Sequence, residues 1–122
     1  MTNDDRGASP GYPDWARGLP AAITVCDEQG IILEMNDRAA QTFGKSGGRA
    51  LIGSNVLDCH PEPARTKLAA IMSERRANTY TIEKGGKRKL IHQSPWFAEG
   101  VYRGFVEISF ELPADVPHFF RA

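Results

Sequence analysis

The residues best suited to chemistry fall in the stretch 51–63, Leu-Ile-Gly-Ser-Asn-Val-Leu-Asp-Cys-His-Pro-Glu-Pro, where a thiol (Cys59), an imidazole (His60) and the carboxylates Asp58 and Glu62 stand almost side by side. Cys59 and His60 suggest a thiolate–imidazole pair, but nucleophile and base must meet within about 3 Å, and sequence neighbours seldom face each other. A distant base such as His92 could replace His60. The chain carries no glycine-rich phosphate loop, no spaced metal-ligand set and no extended catalytic motif. The expectation is therefore a protein without catalytic activity. Imidazole is also the commonest metal ligand, so His60 and His92 are weighed as ligands as well.

A second group lies on a strand-like run. His92, Ser94 and Trp96 share one parity with Leu90, while Ile91, Gln93 and Phe97 share the other. Facing a cavity, His92, Ser94 and Trp96 would supply a polar contact and an aromatic wall, the mixture that small-molecule sites use. Facing out, they would be an exposed strand face or a dimer surface. Together with Cys59, His60 and the helix residues Leu68 and Met72, they make the candidate ligand-binding set. His60 has a structural reading as well: with Asp58 it could cap the following helix, leaving Cys59 as a small inert side chain.

The elements that position these residues follow in order. Residues 1–13 are polar and rich in Asp, Gly and Pro, and a mobile segment is expected. Asp14 could cap a short turn that packs Trp15 onto the domain or onto a second copy. Strands are predicted over 22–26 and 31–35, joined by Asp27-Glu28-Gln29-Gly30 with glycine where positive φ is needed. Asn36 caps a short helix that Gly44 ends. Residues 49–53 offer a helical turn with Leu51 and Ile52 inward. A longer helix spans 63–75, with Ala64, Leu68, Ile71, Met72 and Arg75 at 3.6-residue spacing. Three strands close the domain, over 79–83, 88–97 and 101–111. In the last, Tyr102, Val106, Ile108 and Phe110 share the more apolar parity, against Arg103, Phe105, Glu107, Ser109 and Glu111. The turns are Lys84-Gly85-Gly86-Lys87 and Ala98-Glu99-Gly100. Residues 14–112 thus form one α+β domain. The tail 113–122 ends in Val116, His118, Phe119 and Phe120, which either fold back over the sheet or dock on a partner.

Composition narrows the function. With 122 residues, 41% hydrophobic and 25% charged, the chain is an ordinary single globular domain. Fifteen acidic and fifteen basic residues cancel, which removes the basic footprint of nucleic-acid binders. Lys84, Lys87, Arg88 and Lys89 read as a solvated hairpin tip. Two cysteines cannot build a disulfide framework, no leader-like segment opens the sequence, and no apolar run nears the roughly 20 residues of a membrane span. A cytoplasmic protein with reduced thiols, bound to neither membrane nor nucleic acid, is expected.

Several stretches resemble the PAS domain. Residues 19–36 are similar to its opening strand, Asp/Gly turn, second strand and helix-starting asparagine; Asn36-Asp37-Arg38-Ala39-Ala40-Gln41-Thr42-Phe43-Gly44 to its next helix; Leu51-Ile52-Gly53-Ser54-Asn55-Val56 to its Ile-Gly segment; and Gly104-Phe105-Val106-Glu107-Ile108-Ser109 to its last strand. The resemblance implies a five-stranded antiparallel sheet with short helices and one longer helix on one face, a cavity between that helix and the sheet, and a sensory module that binds a small ligand and dimerises. It also implies what the ligand is not. Flavin photoreceptors of this family carry cysteine directly after the asparagine of a Gly-x-Asn-Cys motif, where this chain has Val56. Haem sensors place the axial histidine on the long helix, at about Leu68 here. Many PAS domains lead into a coiled coil, whereas Glu111-Leu112-Pro113 is followed by no heptads, so output would pass through a homodimer interface, a downstream signalling partner or further sequence. A ligand-free interaction module and a haem sensor held by His60 or His92 are the alternatives.

Overall fold

Strand-length runs separated by two-residue turns can pair only with their neighbours in antiparallel fashion, and the computed structural model shows this over the residues it describes, 13–122. The segment 1–12, where mobility is expected, lies outside the described residues. Strands β1 (Ala22–Asp27), β2 (Ile32–Met35), β3 (Asn78–Lys84), β4 (Lys87–Ala98) and β5 (Val101–Leu112) form one sheet in the order β2-β1-β5-β4-β3, antiparallel throughout. The long connection from β2 to β3 holds the helices α2 (Asp37–Thr42) and α3 (Ala64–Glu74) and three 3-10 turns, Gly44–Ser46, Gly48–Leu51 and Val56–Cys59. A short α1 (Asp14–Gly18) precedes the sheet.

The turns follow from their residues. Asp27 Oδ1 accepts from the N–H groups of Gln29 and Ile31, and Gly30 takes φ +87°, closing β1 onto β2. The β3–β4 turn places Gly85 and Gly86 both at positive φ, as a two-residue hairpin demands. Asn36 caps α2 through Ala39 N–H, as its position predicts. At α3 the expected cap is replaced by another: neither His60 nor Asp58 reaches the helix start. Glu62 Oε1 accepts from Thr66 N–H (3.1 Å) and Thr66 Oγ1 (2.7 Å), and these bonds hold the Glu62 carboxyl below its usual range. α3 ends at Arg75, which takes the left-handed conformation that most often falls to glycine and lays its guanidinium 4.2 Å from the Tyr102 ring centroid. In α1 the buried residue is Ala16; Asp14 makes no cap and Trp15 is exposed rather than packed.

Two small clusters make the core. Ala22, Ile32, Met35 and Ala39 join β1 and β2 to α2, with Phe43, Leu51, Ile52 and Val56 against them. Cys26, Ile71 and Phe105 join β1 and β5 to α3, with Met72 and Tyr102 at the edge. The face of β5 that the helices cover is therefore the one with Phe105, Glu107 and Ser109, and the more apolar parity, Val106, Ile108 and Phe110, faces away. Tyr102 leaves that parity because the register shifts beside it: Trp96 pairs with Gly104 but Phe97 with Tyr102, so Arg103 is an extra residue. The tail does not fold back over the sheet. Val116, Phe119 and Phe120 are exposed, Phe120 at 92%.

Candidate ligand cleft

Register fixes what the helices look down upon. Thr24 on β1 pairs with Glu107 on β5, Glu107 with Gln93 on β4, and Gln93 with Asn78 on β3. Four polar side chains thus run in one row across the covered face of the sheet, where apolar residues would ordinarily be chosen. Three of them are linked by hydrogen bonds. Asn78 Nδ2 donates to Gln93 Oε1 (3.1 Å) and Gln93 Nε2 donates to Glu107 Oε1 (2.9 Å). Gln93 is buried, at 4% exposure.

Over this floor α3 leaves a half-open cleft of about 680 Å³. Ala64, Leu68 and Ile71, one turn apart along α3, form its roof, and Tyr80, Asn78 and Gln93 its floor. Two of the lining residues, Ala64 and Ala70, carry short side chains. Tyr80 keeps 39% of its surface exposed because the helix does not extend over the β3 edge. Its phenol is nonetheless pushed up by partial burial, with the Glu107 carboxylate adding to the effect. A volume of this size and an apolar lining with a few fixed polar groups are what small-molecule sites require.

His60 also lines the cleft. Its Nδ1 lies 3.0 Å from Val56 O, and its Nε2 lies 3.9 Å from Glu107 Oε1. Both ring nitrogens are therefore directed at protein groups. Cys59, next in sequence, borders a void of about 10 Å³ shared with His60 and Glu107, and its thiol is pushed up by burial and by the carboxylates of Asp58 and Glu107. Burial and the neighbouring carboxylates thus favour the protonated thiol of Cys59, and the imidazole beside it points Nδ1 at Val56 O.

The predicted residues accordingly divide. His60 and Leu68 line the main cleft; Leu68 and Met72 share a void of about 20 Å³ with Phe105 and Gln93; Cys59 lies behind His60. His92, Ser94 and Trp96 are not brought to them. Gln93 and Ile91 point to the helices, so this parity lies on the opposite face, where His92 Nδ1 meets Thr79 Oγ1 at 2.7 Å. Trp96 crosses the side-chain-free Gly104 and donates its indole N–H to Cys26 O at 3.0 Å, a structural bond between β4 and β1. Sequence reading missed Glu107, Gln93, Asn78 and Tyr80. The signal was the row itself, polar residues at opposed positions of strands whose turns already set the register.

The sheet order, the helical β2–β3 connection and the cleft beneath α3 come together with the sequence comparisons at this point. The family model described as PAS fold matches residues 16–107. The chain belongs to the PAS family. Solved structures agree in fold: the PAS domain of BvgS from Bordetella pertussis (22% identity, TM-score 0.61, covering 80% of each chain) and a sensory box sensor histidine kinase from Vibrio cholerae (14%, TM-score 0.58, 80% of this chain and 85% of that one). A third is the Aer2 receptor from Vibrio cholerae, described as a dual PAS-heme oxygen sensor (16%, TM-score 0.56, 76% of this chain and 95% of that one). No curated protein sequence matches the chain. The haem of that last relative finds no axial histidine on the long helix here, where Leu68 can supply no ligand, and His92 lies on the far side of the sheet from the cleft. Among the described residues no helix is long and apolar enough to cross a membrane.

Proposed function

We propose that this PAS domain is a non-catalytic sensor that holds a small molecule in the cleft between α3 and the β3–β4 half of the sheet. Its occupancy would be relayed through a homodimer or a signalling partner. The observation that carries the reading is the pairing of a 680 Å³ cleft with a polar floor, Asn78 and Gln93, bonded to each other and through Gln93 to Glu107 behind them, beneath an apolar roof. A ligand that prefers one placement of α3 over another shifts the population of that placement. The route outward is short. Ile71 and Met72 pack on Cys26 and Phe105, and Arg75 stacks on Tyr102, so a shift of α3 is felt in β1 and β5. Free thiols at Cys26 and Cys59 suit a reduced, cytoplasmic setting.

The test is native mass spectrometry of freshly purified protein beside an Ala70→Trp variant, in which the indole fills the cleft. Non-covalent mass retained by the wild type and lost in the variant supports sensing. Wild type that carries no added mass, and whose far-ultraviolet and thermal behaviour the variant copies, favours the second reading, a ligand-free interaction module. That reading draws on the exposed Phe119 and Phe120 of the tail.

A further inference from the structure

The lining of the cleft is unequal in charge. Lys67 and Arg76 both border it, one from α3 and one from the connection to β3, and no carboxylate is among the lining residues. Lys67 makes no ion pair among the described residues, and Arg76 uses its Nε on Glu74, leaving its terminal amines. On the floor side the carboxylate next to the lining is Glu107, reached through Gln93. Gln93 Nε2 donates to its Oε1, and His60 Nε2 lies 3.9 Å from the same oxygen. A cation finds no carboxylate among the lining residues, whereas an anion meets Lys67 and the terminal amines of Arg76 without disturbing the floor. Behind the rim the surface is apolar: Pro63, Ala64, Leu68 and Ile71.

We propose that the ligand is an amphipathic organic anion, an apolar body carrying one carboxylate, with the carboxylate at Lys67 and Arg76 and the body against Leu68 and Ile71. This rests on reading the cleft as the ligand site, and adds to it the sign of the charge and its place. Binding is non-covalent and involves no proton transfer. The rim cations are solvated, so each contributes modestly, about two- to fivefold in affinity, the scale of an exposed ion pair. The apolar body supplies the remainder, in proportion to the area it covers.

The test compares matched probes by nuclear magnetic resonance on uniformly ¹⁵N-labelled protein, reading the side-chain amides of Asn78 and Gln93, which report on the cleft floor. Octanoate and 3-phenylpropionate are titrated beside octanamide, 3-phenylpropionamide and octylammonium. At least one carboxylate is expected to shift the Asn78 and Gln93 signals and to bind about fivefold or more tightly than its own amide. The preference should disappear in the Lys67→Ala/Arg76→Ala double variant, whose two positions are exposed and whose fold is checked by the same spectrum. Amide binding as tight as carboxylate, stronger binding of octylammonium, or a preference that survives in the double variant overturns the anion assignment and leaves the cleft as a site. Failure of every probe to move the two amides overturns the assignment and the cleft together.

Discussion

Asn36 holds more of this fold than any other single side chain. It is wholly buried, and its amide makes four bonds: Oδ1 accepts from Ile23 N–H and Ala39 N–H, while Nδ2 donates to Ala16 O and Ala21 O. One residue thus ties α1, the start of β1 and the first turn of α2 together. Asn36→Ala leaves four backbone groups without partners in a place water does not reach, at a cost of roughly 1–3 kcal/mol for each that stays unsatisfied. A loss of more than about 3 kcal/mol in urea unfolding is expected, and a loss below about 1 kcal/mol would show that water or a local shift replaces the amide. Asn36→Asp keeps the two accepting bonds but sets a carboxylate oxygen against Ala16 O and Ala21 O, so at neutral pH it should cost at least as much as alanine. Cys26 supplies a pH signature. Burial pushes its thiol from 9.0 up to about 11, with a backbone bond at Phe105 opposing and the carboxylates of Asp27 and Glu107 adding slightly. A folded-state value above the unfolded one means that the stabilisation is complete below pH 9 and declines as pH rises towards 11. Stability should therefore fall across that interval by roughly 2 kcal/mol, and the fall should flatten in Cys26→Ala. A curve that matches wild type in the variant would assign the alkaline loss to other groups.

Among the elements, the sheet is held in register by one glycine. Gly104 stands between β1 and β4 at φ +150°, and a Cβ placed there would run into Cys26 O and meet Asp27 C at 2.7 Å. Both are backbone, so nothing flexible can yield. Gly104→Ala should cost more than about 3 kcal/mol, the combined scale of overpacking and of a side chain at positive φ. It should also free the Trp96 indole from Cys26 O, read as a change in Trp fluorescence that accompanies the lowered unfolding midpoint. A variant of unchanged stability would mean that β1 and β5 are not so closely apposed. Strand limits were legible in the sequence because the turns are: Gly30, Gly85, Gly86 and Gly100 mark positive φ, and each strand came within two residues of its observed end. The long helix was legible from its apolar spacing. The facing of strands was not. Alternation tells which residues share a side, and here the more apolar side of β5 is the outer one, because a polar row under α3 occupies the inner. The bulge at Arg103 then moves Tyr102 across. His60 failed as a cap for a different reason: the carboxylate of Glu62, four residues before Thr66, reaches the same N–H that a cap would serve.

At the scale of the whole molecule, a sheet covered on one side leaves the other to be explained. Its open face joins Ile23, Val25, Leu90, Val106 and Ile108, all half-buried, to the exposed Phe110, and register makes them contiguous: Ile23 pairs with Ile108, Val25 with Val106 and Leu90 with Phe110. Apolar surface of this continuity on three adjacent strands is uncommon in a protein that stays alone, and a stable interface needs about 800 Å² from each partner. The dimer in the proposed function is expected to use this face, and His92, Ser94 and Trp96 then belong to its border rather than to a ligand. Ile108 is the residue to change. It lies at the centre of the face, between Ile23 and His92, and its side chain points away from the core clusters, so lysine there can extend into water within a monomer. Sedimentation equilibrium at micromolar concentration should give a dimer for the wild type and at least tenfold weaker association for Ile108→Lys, with circular dichroism unchanged. A monomeric wild type would send the relay to another partner, and a dimer indifferent to the lysine would place the interface on a different surface, with the exposed Trp15 of α1 as the next position to substitute.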